Sequence, residues 1–550
     1  MVVVVRLLLL PAWGNILGWL EYYNYKRNRP QRCPKQRPTW VAHDNDADAA
    51  NAADSDTQMK LRQETDAEAA TETATAAETA TATATRTATK AGLRRGEVIY
   101  EVLKEKPNNK FQIIHDDGKI LTNADALTAA VSIAHYLKSE GLTHRDVVGL
   151  IARNSTHVAH ALFACLFNAT PFHAVNPMLE REAIVSLYAI TKPKIIFCDG
   201  RDYEFLKLIS KDWTPKLITL SEHIENVTGI EEILDKTFNE NNYEPTKLVH
   251  GADQTMAIVC SSGTSGLPKA VTITNSQLLL ISPVSGLNDV VYTTASYDWL
   301  SAIKSLLSST VNEADRVIYS QPFSVELLLE IVKRWQVTYL YVSHWQFNAL
   351  FSSPLATAEN LSNLQFIQYA GGWVSAGVVQ VARRILESTI FVYVYGTTET
   401  DGISVCLNPE TENLVGTLLP GVHAQIVDDA GVPLAHNEVG EILIKTNQKW
   451  NGYYGNPEQT AETLDSQGWF HMGDMGYFDK ENRLYMVDRK KDLLKYQSMH
   501  YTPNEIEKII IELPDVQEVC VVGIKDPLYG DAAGALIVRK PQSLLSHHLK

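Results

Sequence analysis

The chain has 550 residues, 45% of them hydrophobic and 21% charged, enough to bury large cores in more than one domain. Its net charge of -15 excludes general nucleic-acid binding, which needs an excess of basic side chains to neutralise phosphate. Cys33, Cys165, Cys198, Cys260, Cys406 and Cys520 are scattered, with no C-x-x-C pair and no histidine cluster at metal-ligand spacing, so a reducing compartment fits.

Residues 1–25 form an apolar segment. Val2 to Leu10 is almost wholly apolar and Trp13 to Leu20 continues it, but Arg6, Pro11 and Asn15 interrupt a stretch only just long enough to cross a bilayer. Lys26, Arg27, Arg29, Arg32, Lys35 and Arg37 follow, and the positive-inside rule would keep them and everything downstream in the cytosol. A membrane anchor, an organelle-targeting segment and a segment without either role all stay open. A cleaved secretory signal fits less well, because no basic region precedes the apolar run. Residues 26–95 read as a linker, basic at first. From Asp44 to Lys90 it collapses to Ala, Thr, Asp and Glu, without the large apolar side chains that offset the entropy of ordering.

Ordered structure is expected from Gly96. Phe111 to Thr122 reads as two strands about Asp117-Gly118, a strong hairpin signal. Helical spacing over Ala124 to Glu140 ends at Gly141. Strand-like Val147 to Ile151, helix-like His157 to Phe167, strand-like Phe172 to Val175, helix-like Glu180 to Ile190 and strand-like Lys194 to Cys198 then alternate, the pattern of a layered α/β domain with a mainly parallel sheet. His173 lies within one of these strands and reads as packing.

Met256 to Cys260 is an apolar strand, Ser261 to Lys269 a hydroxyl- and glycine-rich loop, and Ala270 to Thr274 a second strand. Gly263 and Gly266 let backbone approach a bulky anion, Ser261, Ser262, Thr264 and Ser265 offer hydroxyl donors, and Lys269 brings a positive charge. The loop suits a polyphosphate. It differs from the GxxxxGK[ST] loop in having proline before the lysine, alanine after it and a strand next. The run S-S-G-T-S-G-L-P-K resembles the phosphate loop of the acyl-adenylate-forming (AMP-binding) enzymes, which include acyl-CoA and coumarate-CoA ligases, beetle luciferases and peptide-synthetase adenylation domains.

Three more blocks extend the resemblance in the family's order. QYAGGW places Gly371 and Gly372 after a strand, where family backbone passes close to the nucleotide base. YVYGTTET holds Tyr395, Gly396, Thr397, Thr398 and Glu399. By resemblance Tyr395 stacks on adenine, Thr398 reaches a phosphate and Glu399 holds Mg²⁺ through oxygen. GWFHMGDMGYFD sets Asp474 between glycines, where the family carboxylate accepts both ribose hydroxyls. Arg489 matches an arginine contacting ribose or phosphate, Lys491 an interdomain hinge residue, and Lys495 the lysine of thioester formation.

The implied fold is α/β: a large domain over 96–488, made of layered α/β subdomains plus a distorted β-barrel built from strands between Val415 and Tyr454, then an incomplete small α+β domain over 489–550. In that small domain Thr502-Pro503-Asn504-Glu505 forms a capping box that starts a helix running to about Leu513. The chain reaches Lys550 roughly 60 residues short of such a domain's usual length, and no residue matches the family's adenylation lysine, so slow adenylation is expected. Ser498 stands where relatives have glycine beside the CoA arm. Tyr297-Asp298-Trp299 replaces an aromatic and histidine-rich run, leaving the acid unread and Trp299 either a core aromatic or part of the acyl pocket.

The resemblance implies an ATP-dependent acyl-CoA ligase that uses ATP, Mg²⁺ and CoA on a fatty or aromatic carboxylic acid. A luciferase-type monooxygenase and a non-catalytic nucleotide-binding protein are the alternatives. The family also implies a peroxisomal location, beside the membrane-anchored one with the domain in the cytosol.

Overall fold

Runs of Val, Ile, Leu and aromatic residues, bounded by glycine, proline and capping side chains, become strands and helices along most of the chain. The computed structural model describes residues 2–7, 95–236, 243–261, 268–279, 289–372, 374, 376–409, 411, 413–490, 494–496, 499–501, 503–513, 515–526 and 530–540. They fall into two units: Ala76–Met472 with Gly476–Val487, and Met1–Thr75 with Gly473–Met475 and Asp488–Lys550.

Strand β1 (Val2–Leu7) belongs to the smaller unit. Among the described residues of the larger unit the first helix is Arg95–Glu105, and Arg95 is fully buried. β2 (Lys110–Ile114) and β3 (Ile120–Thr122) form the expected hairpin, with Gly118 at φ +75° in its turn. β4 (Val148–Ile151), β5 (Phe172–Ala174), β6 (Ile195–Asp199) and β7 (Lys216–Ser221) alternate with helices Asn123–Ser139, Val158–Phe167, Arg181–Thr191 and Tyr203–Ile209. The first of these helices is closed by a capping box between Thr122 and Asp125. β8 (Thr255–Cys260) and β9 (Ala270–Thr274) complete a six-stranded sheet in the order β7-β6-β4-β5-β8-β9, parallel except for the β8–β9 pair. Every residue of β6 is buried, as a parallel strand covered on both faces requires.

A second sheet has thirteen strands. β10 (Val290–Thr293), β11 (Asp315–Ile318), β12 (Tyr339–Ser343), β13 (Phe366–Ala370) and β14 (Ile390–Thr397) run parallel to one another. β15 (Asp401–Leu407), β16 (Leu414–Leu418), β17 (Val422–Val427), β18 (Gly440–Thr446), β19 (Phe470–Phe478) and β20 (Leu484–Arg489) follow. The order is β17-β18-β19-β20-β16-β15-β14-β13-β12-β10-β11-β2-β3. The expected distorted barrel is therefore corrected. β16 pairs with β15 on one edge and β20 on the other, so these strands prolong an open sheet, and the described residues form no closed barrel.

In the smaller unit β21 (Leu494–Tyr496) and β22 (Met499–Tyr501) pair, helix Pro503–Ile511 follows, and β23 (Val516–Asp526) pairs with β24 (Gly530–Arg539). Leu494, Ile510, Val516, Val521, Ala533, Ala535 and Ile537 form its core. β1 lies antiparallel to β24, in register from Val2 opposite Val538 to Leu7 opposite Ala533. Residues 2–7 of the apolar N-terminal segment thus form a strand. The rest of that segment and the Ala/Thr-rich tract lie outside the described residues. No helix among the described residues is long and apolar enough to cross a membrane.

Candidate active site

The functional residues proposed for the larger unit gather at the carboxyl ends of parallel strands, where the backbone leaves the sheet and ligands bind in open α/β folds. Cys260 ends β8 and Ser261 begins the loop expected to bind phosphate. Ser261 donates its backbone N–H to the Lys269 carbonyl at 3.0 Å, and Lys269 donates its own to the Ser261 hydroxyl at 3.2 Å. These two bonds pinch the loop's base and set Lys269 on its rim. Ser262, Gly263, Thr264, Ser265 and Gly266 lie outside the described residues.

Gly371 and Gly372 follow β13. Gly371 takes φ +86°, and a Cβ on Gly372 would stand 2.6 Å from the His344 imidazole, so glycine is needed at both places for different reasons. Tyr395 is buried near the end of β14, Thr397 bonds the Thr400 hydroxyl at 2.9 Å, and Thr398 and Glu399 lie on the turn between β14 and β15. A Cβ on Gly396 would meet the Asp401 carbonyl at 2.3 Å, which keeps this turn tight.

Glu399 is only 5% exposed. Its Oε1 accepts from the Tyr453 hydroxyl at 2.7 Å, and its backbone carbonyl accepts from Gln277 Nε2 at 3.2 Å. Among the described residues no other hydrogen bond or ion pair reaches the carboxylate, and no group of three or more His, Cys, Asp or Glu side chains could hold a metal. A buried carboxylate with one oxygen engaged, beside a phosphate loop, fits Mg²⁺, which takes one or two protein carboxylates and fills its shell with phosphate oxygen and water.

Tyr453 was not among the residues singled out from the sequence. Its ring carries Lys269 Nζ 4.6 Å from the centroid, and its hydroxyl reaches Glu399, so one side chain joins the loop lysine to the carboxylate on the β14 turn. Burial, reinforced by the Glu399 charge, pushes its phenol well above the usual tyrosine range, so it stays protonated and a donor. The only sequence trace of this role is its place after Gly452, which takes φ +86°.

In the smaller unit Asp474 and Arg489 come together as an ion pair, Arg489 Nε to Asp474 Oδ1 at 3.2 Å. Asp474 is 1% exposed, and Gly473 before it takes φ +74°. Lys490 donates its backbone N–H to the Gly473 carbonyl at 2.7 Å, which fixes the strand ends carrying the pair. Lys495 lies in β21 opposite His500. Lys491 and Ser498 lie outside the described residues.

His173 is fully buried, its Nδ1 2.9 Å from the Thr191 hydroxyl, and burial lowers its pKa to about 3, which matches a packing role. Trp299 is 47% exposed at the start of helix Leu300–Val311, which corrects its reading as a core aromatic: the helix turns its apolar face inward one residue later, at Leu300. Asp298 is buried, bonded to the Ser296 hydroxyl, and burial raises its carboxyl to about 6.

The sequence model of the AMP-binding enzyme family matches residues 100–454, and that of the AMP-binding enzyme C-terminal domain matches residues 505–550. 4-Coumarate-CoA ligase 4 of Arabidopsis thaliana is 27% identical over 453 residues, covering 78% of this chain and 79% of the relative. Luciferin 4-monooxygenase of Nipponoluciola cruciata is 27% identical over 441 residues, covering 76% and 79%. The ATP-bound structure of MatB from Rhodopseudomonas palustris shares the fold at a TM-score of 0.74 and 20% identity, covering 82% of this chain and 90% of that one. With the first match spanning well over half its length, the chain belongs to the AMP-binding enzyme family.

Proposed function

We propose that this protein is an acid–thiol ligase of the acyl-CoA synthetase type, which activates a fatty or aromatic carboxylic acid as its acyl-adenylate and passes the acyl group to CoA. The observation that carries the reading is the Lys269–Tyr453–Glu399 junction. It joins the lysine of the proposed phosphate loop to a metal-suited carboxylate. The names of the coumarate-CoA ligase relatives support the same class.

In the first half-reaction the acid's carboxylate oxygen attacks the α-phosphorus of ATP, the bond to the bridging oxygen breaks, and pyrophosphate leaves. Lys269 and the loop's donors hold the phosphates against the attack, and Thr398 adds a hydroxyl. Glu399 would hold Mg²⁺, which when bound supplies charge neutralisation across the phosphate oxygens. Asp474 accepts from the ribose hydroxyls, Arg489 steadies Asp474 and faces ribose or phosphate, and Tyr395 takes the adenine face. In the second half-reaction the CoA thiol attacks the acyl carbonyl and AMP departs, with Lys495 assigned to this step. Placement and charge neutralisation do most of the work, as expected for chemistry at phosphorus.

The test is acid-dependent exchange of pyrophosphate into ATP over a panel of hydroxycinnamic, benzoic and fatty acids, with mass-spectrometric detection of the CoA thioester. Exchange with thioester formation for at least one acid is expected. ATP binding without exchange for any acid would overturn the ligase reading in favour of a nucleotide-binding protein. Adenylate formation followed by O₂ consumption and light, without thioester, would replace it with the luciferase-type reading that the luciferin 4-monooxygenase relative raises.

A further inference from the structure

Tyr453 is held from three sides. Its own backbone makes a bridge to Val271 on β9, the Tyr454 N–H donates to the Ala270 carbonyl at 2.8 Å, and the Thr272 hydroxyl donates to the Gly452 carbonyl at 2.6 Å. The segment 452–454 is therefore pinned to the strand that carries the chain away from the phosphate loop. Its ring packs edge-on against Trp450, with centroids 5.0 Å apart and planes at 90°. The Thr463 hydroxyl donates to the Tyr453 oxygen at 3.4 Å, leaving the phenol proton to point at Glu399 Oε1. Backbone, ring and hydroxyl are each fixed by a separate contact.

Resting on the reading of Glu399 as the metal-holding carboxylate, we propose that Tyr453 is the positioning residue of the metal site: its hydroxyl occupies Oε1, leaving Oε2 to take the cation, while its ring seats the Lys269 ammonium. Two consequences follow. Glu399 would then present Oε2 as its open oxygen, since Oε1 already accepts the 2.7 Å bond from Tyr453. The lysine and the metal are also kept apart by a neutral aromatic ring, so two cations serve the same polyphosphate without competing for Glu399. The ring attracts the ammonium through its π-face while its hydroxyl edge bonds the carboxylate, two roles that one tyrosine side chain fills together.

The experiment is calorimetric ATP binding to the full chain, with excess Mg²⁺ and with EDTA, for the wild type, Tyr453→Phe, Tyr453→Leu and Glu399→Gln, each checked by its thermal midpoint. Phenylalanine keeps the packing against Trp450 and the face under Lys269 but drops the hydroxyl. Removing a partner that orients a metal ligand typically costs about 10- to 100-fold in metal affinity. In Tyr453→Phe the enhancement of ATP affinity by Mg²⁺ should fall by about that factor, with ATP affinity in EDTA within about twofold of wild type. Tyr453→Leu should also weaken binding in EDTA, because Lys269 loses its seat. An Mg²⁺ enhancement in Tyr453→Phe equal to wild type would overturn the proposal, as would equal losses with and without Mg²⁺, which would mark a merely structural role. If Glu399→Gln keeps the full Mg²⁺ enhancement, the assignment of Glu399 fails, and Tyr453 loses its role with it. Enhancement lost in Glu399→Gln but kept in Tyr453→Phe refutes Tyr453 alone.

Discussion

Replacing Asp474 by alanine should produce two losses that can be measured apart. The carboxylate is 1% exposed and pairs with Arg489, whose side chain is 34% exposed. Exposed pairs are worth up to about 1 kcal/mol, and breaking a fully buried one costs about 3 to 5. With one partner open to solvent and screened, a stability loss of about 1 to 2 kcal/mol in the smaller unit is expected. The second loss is in binding. Two ribose hydroxyls that donate to an ionised acceptor lose charge-assisted bonds worth about 1.5 to 3 kcal/mol net, or about 10- to 150-fold in ATP affinity. The assay is calorimetry of ATP against 2′,3′-dideoxy-ATP in wild type, Asp474→Ala and Asp474→Asn. Wild type should prefer ATP, alanine should abolish the preference, and asparagine should keep part of it, since a neutral acceptor of the same shape remains. If Asp474→Ala distinguishes the two nucleotides as well as the wild type does, the ribose assignment is wrong, whatever happens to stability.

Other outcomes follow from particular contacts. Asp298 holds its proton up to about 6 in the fold against an ordinary 3.8, so the native state binds more protons between those values and stability falls as pH rises through that window, by about 3 kcal/mol in all. Asp298→Asn should therefore stabilise the protein by about 1 to 3 kcal/mol above pH 6 and little near pH 4 in denaturant melts, and a uniform shift at both would refute this. Gly372→Ala would drive a methyl into the His344 ring, 2.6 Å from the Cβ position, costing about 1 to 3 kcal/mol of stability and weakening ATP binding; His344→Ala should restore both in the double variant. Deleting residues 2–7 uncovers the β24 edge from Ala533 to Val538, so hydrogen exchange there should accelerate and light scattering should rise, and unchanged exchange would show that β1 contributes nothing to that edge.

Local signals carried far in this chain. The β2–β3 hairpin was legible in Asp117-Gly118 because only a residue comfortable at positive φ closes that turn, and helix Asn123–Ser139 because its apolar spacing stops at Gly141, which takes φ +74°. The glycine pair and the TTE turn were each visible as short blocks, since the close approaches at Gly372 and Gly396 restrict residue choice. What stayed hidden was partnership between distant segments. Alternating strands between 414 and 446 look the same whether a sheet closes into a barrel or extends, because side-chain period 2 says which face is buried and not which strand is next. Tyr453 escaped for the same reason: nothing near Gly452 indicates that its hydroxyl meets a carboxylate on another turn. Trp299 could not be placed from the sequence because bulk predicts burial only on average, and a helix start can leave a large ring facing out.

Arg95 shows how far such a partnership reaches. Its backbone N–H donates to Asn275 Oδ1 at 3.0 Å, and its guanidinium donates to the Leu278 carbonyl from Nε at 3.0 Å and from Nη2 at 2.5 Å, with burial lowering its pKa to about 10. Two residues along the same short helix, Asn275–Leu279, Gln277 bonds the backbone of Glu399. Gly96 is equally committed, since a Cβ there would stand 2.4 Å from the Leu166 carbonyl. Helix Arg95–Glu105 is thus fastened, through the five residues of helix Asn275–Leu279, to the backbone of the residue proposed to hold the metal. Anyone trimming this protein for crystals or assays should cut ahead of Arg95, because a chain beginning at Gly96 would abandon the Leu278 carbonyl in the interior and loosen the bracket behind Glu399. An inactive short form would then report a bad choice of boundary while looking like evidence about catalysis.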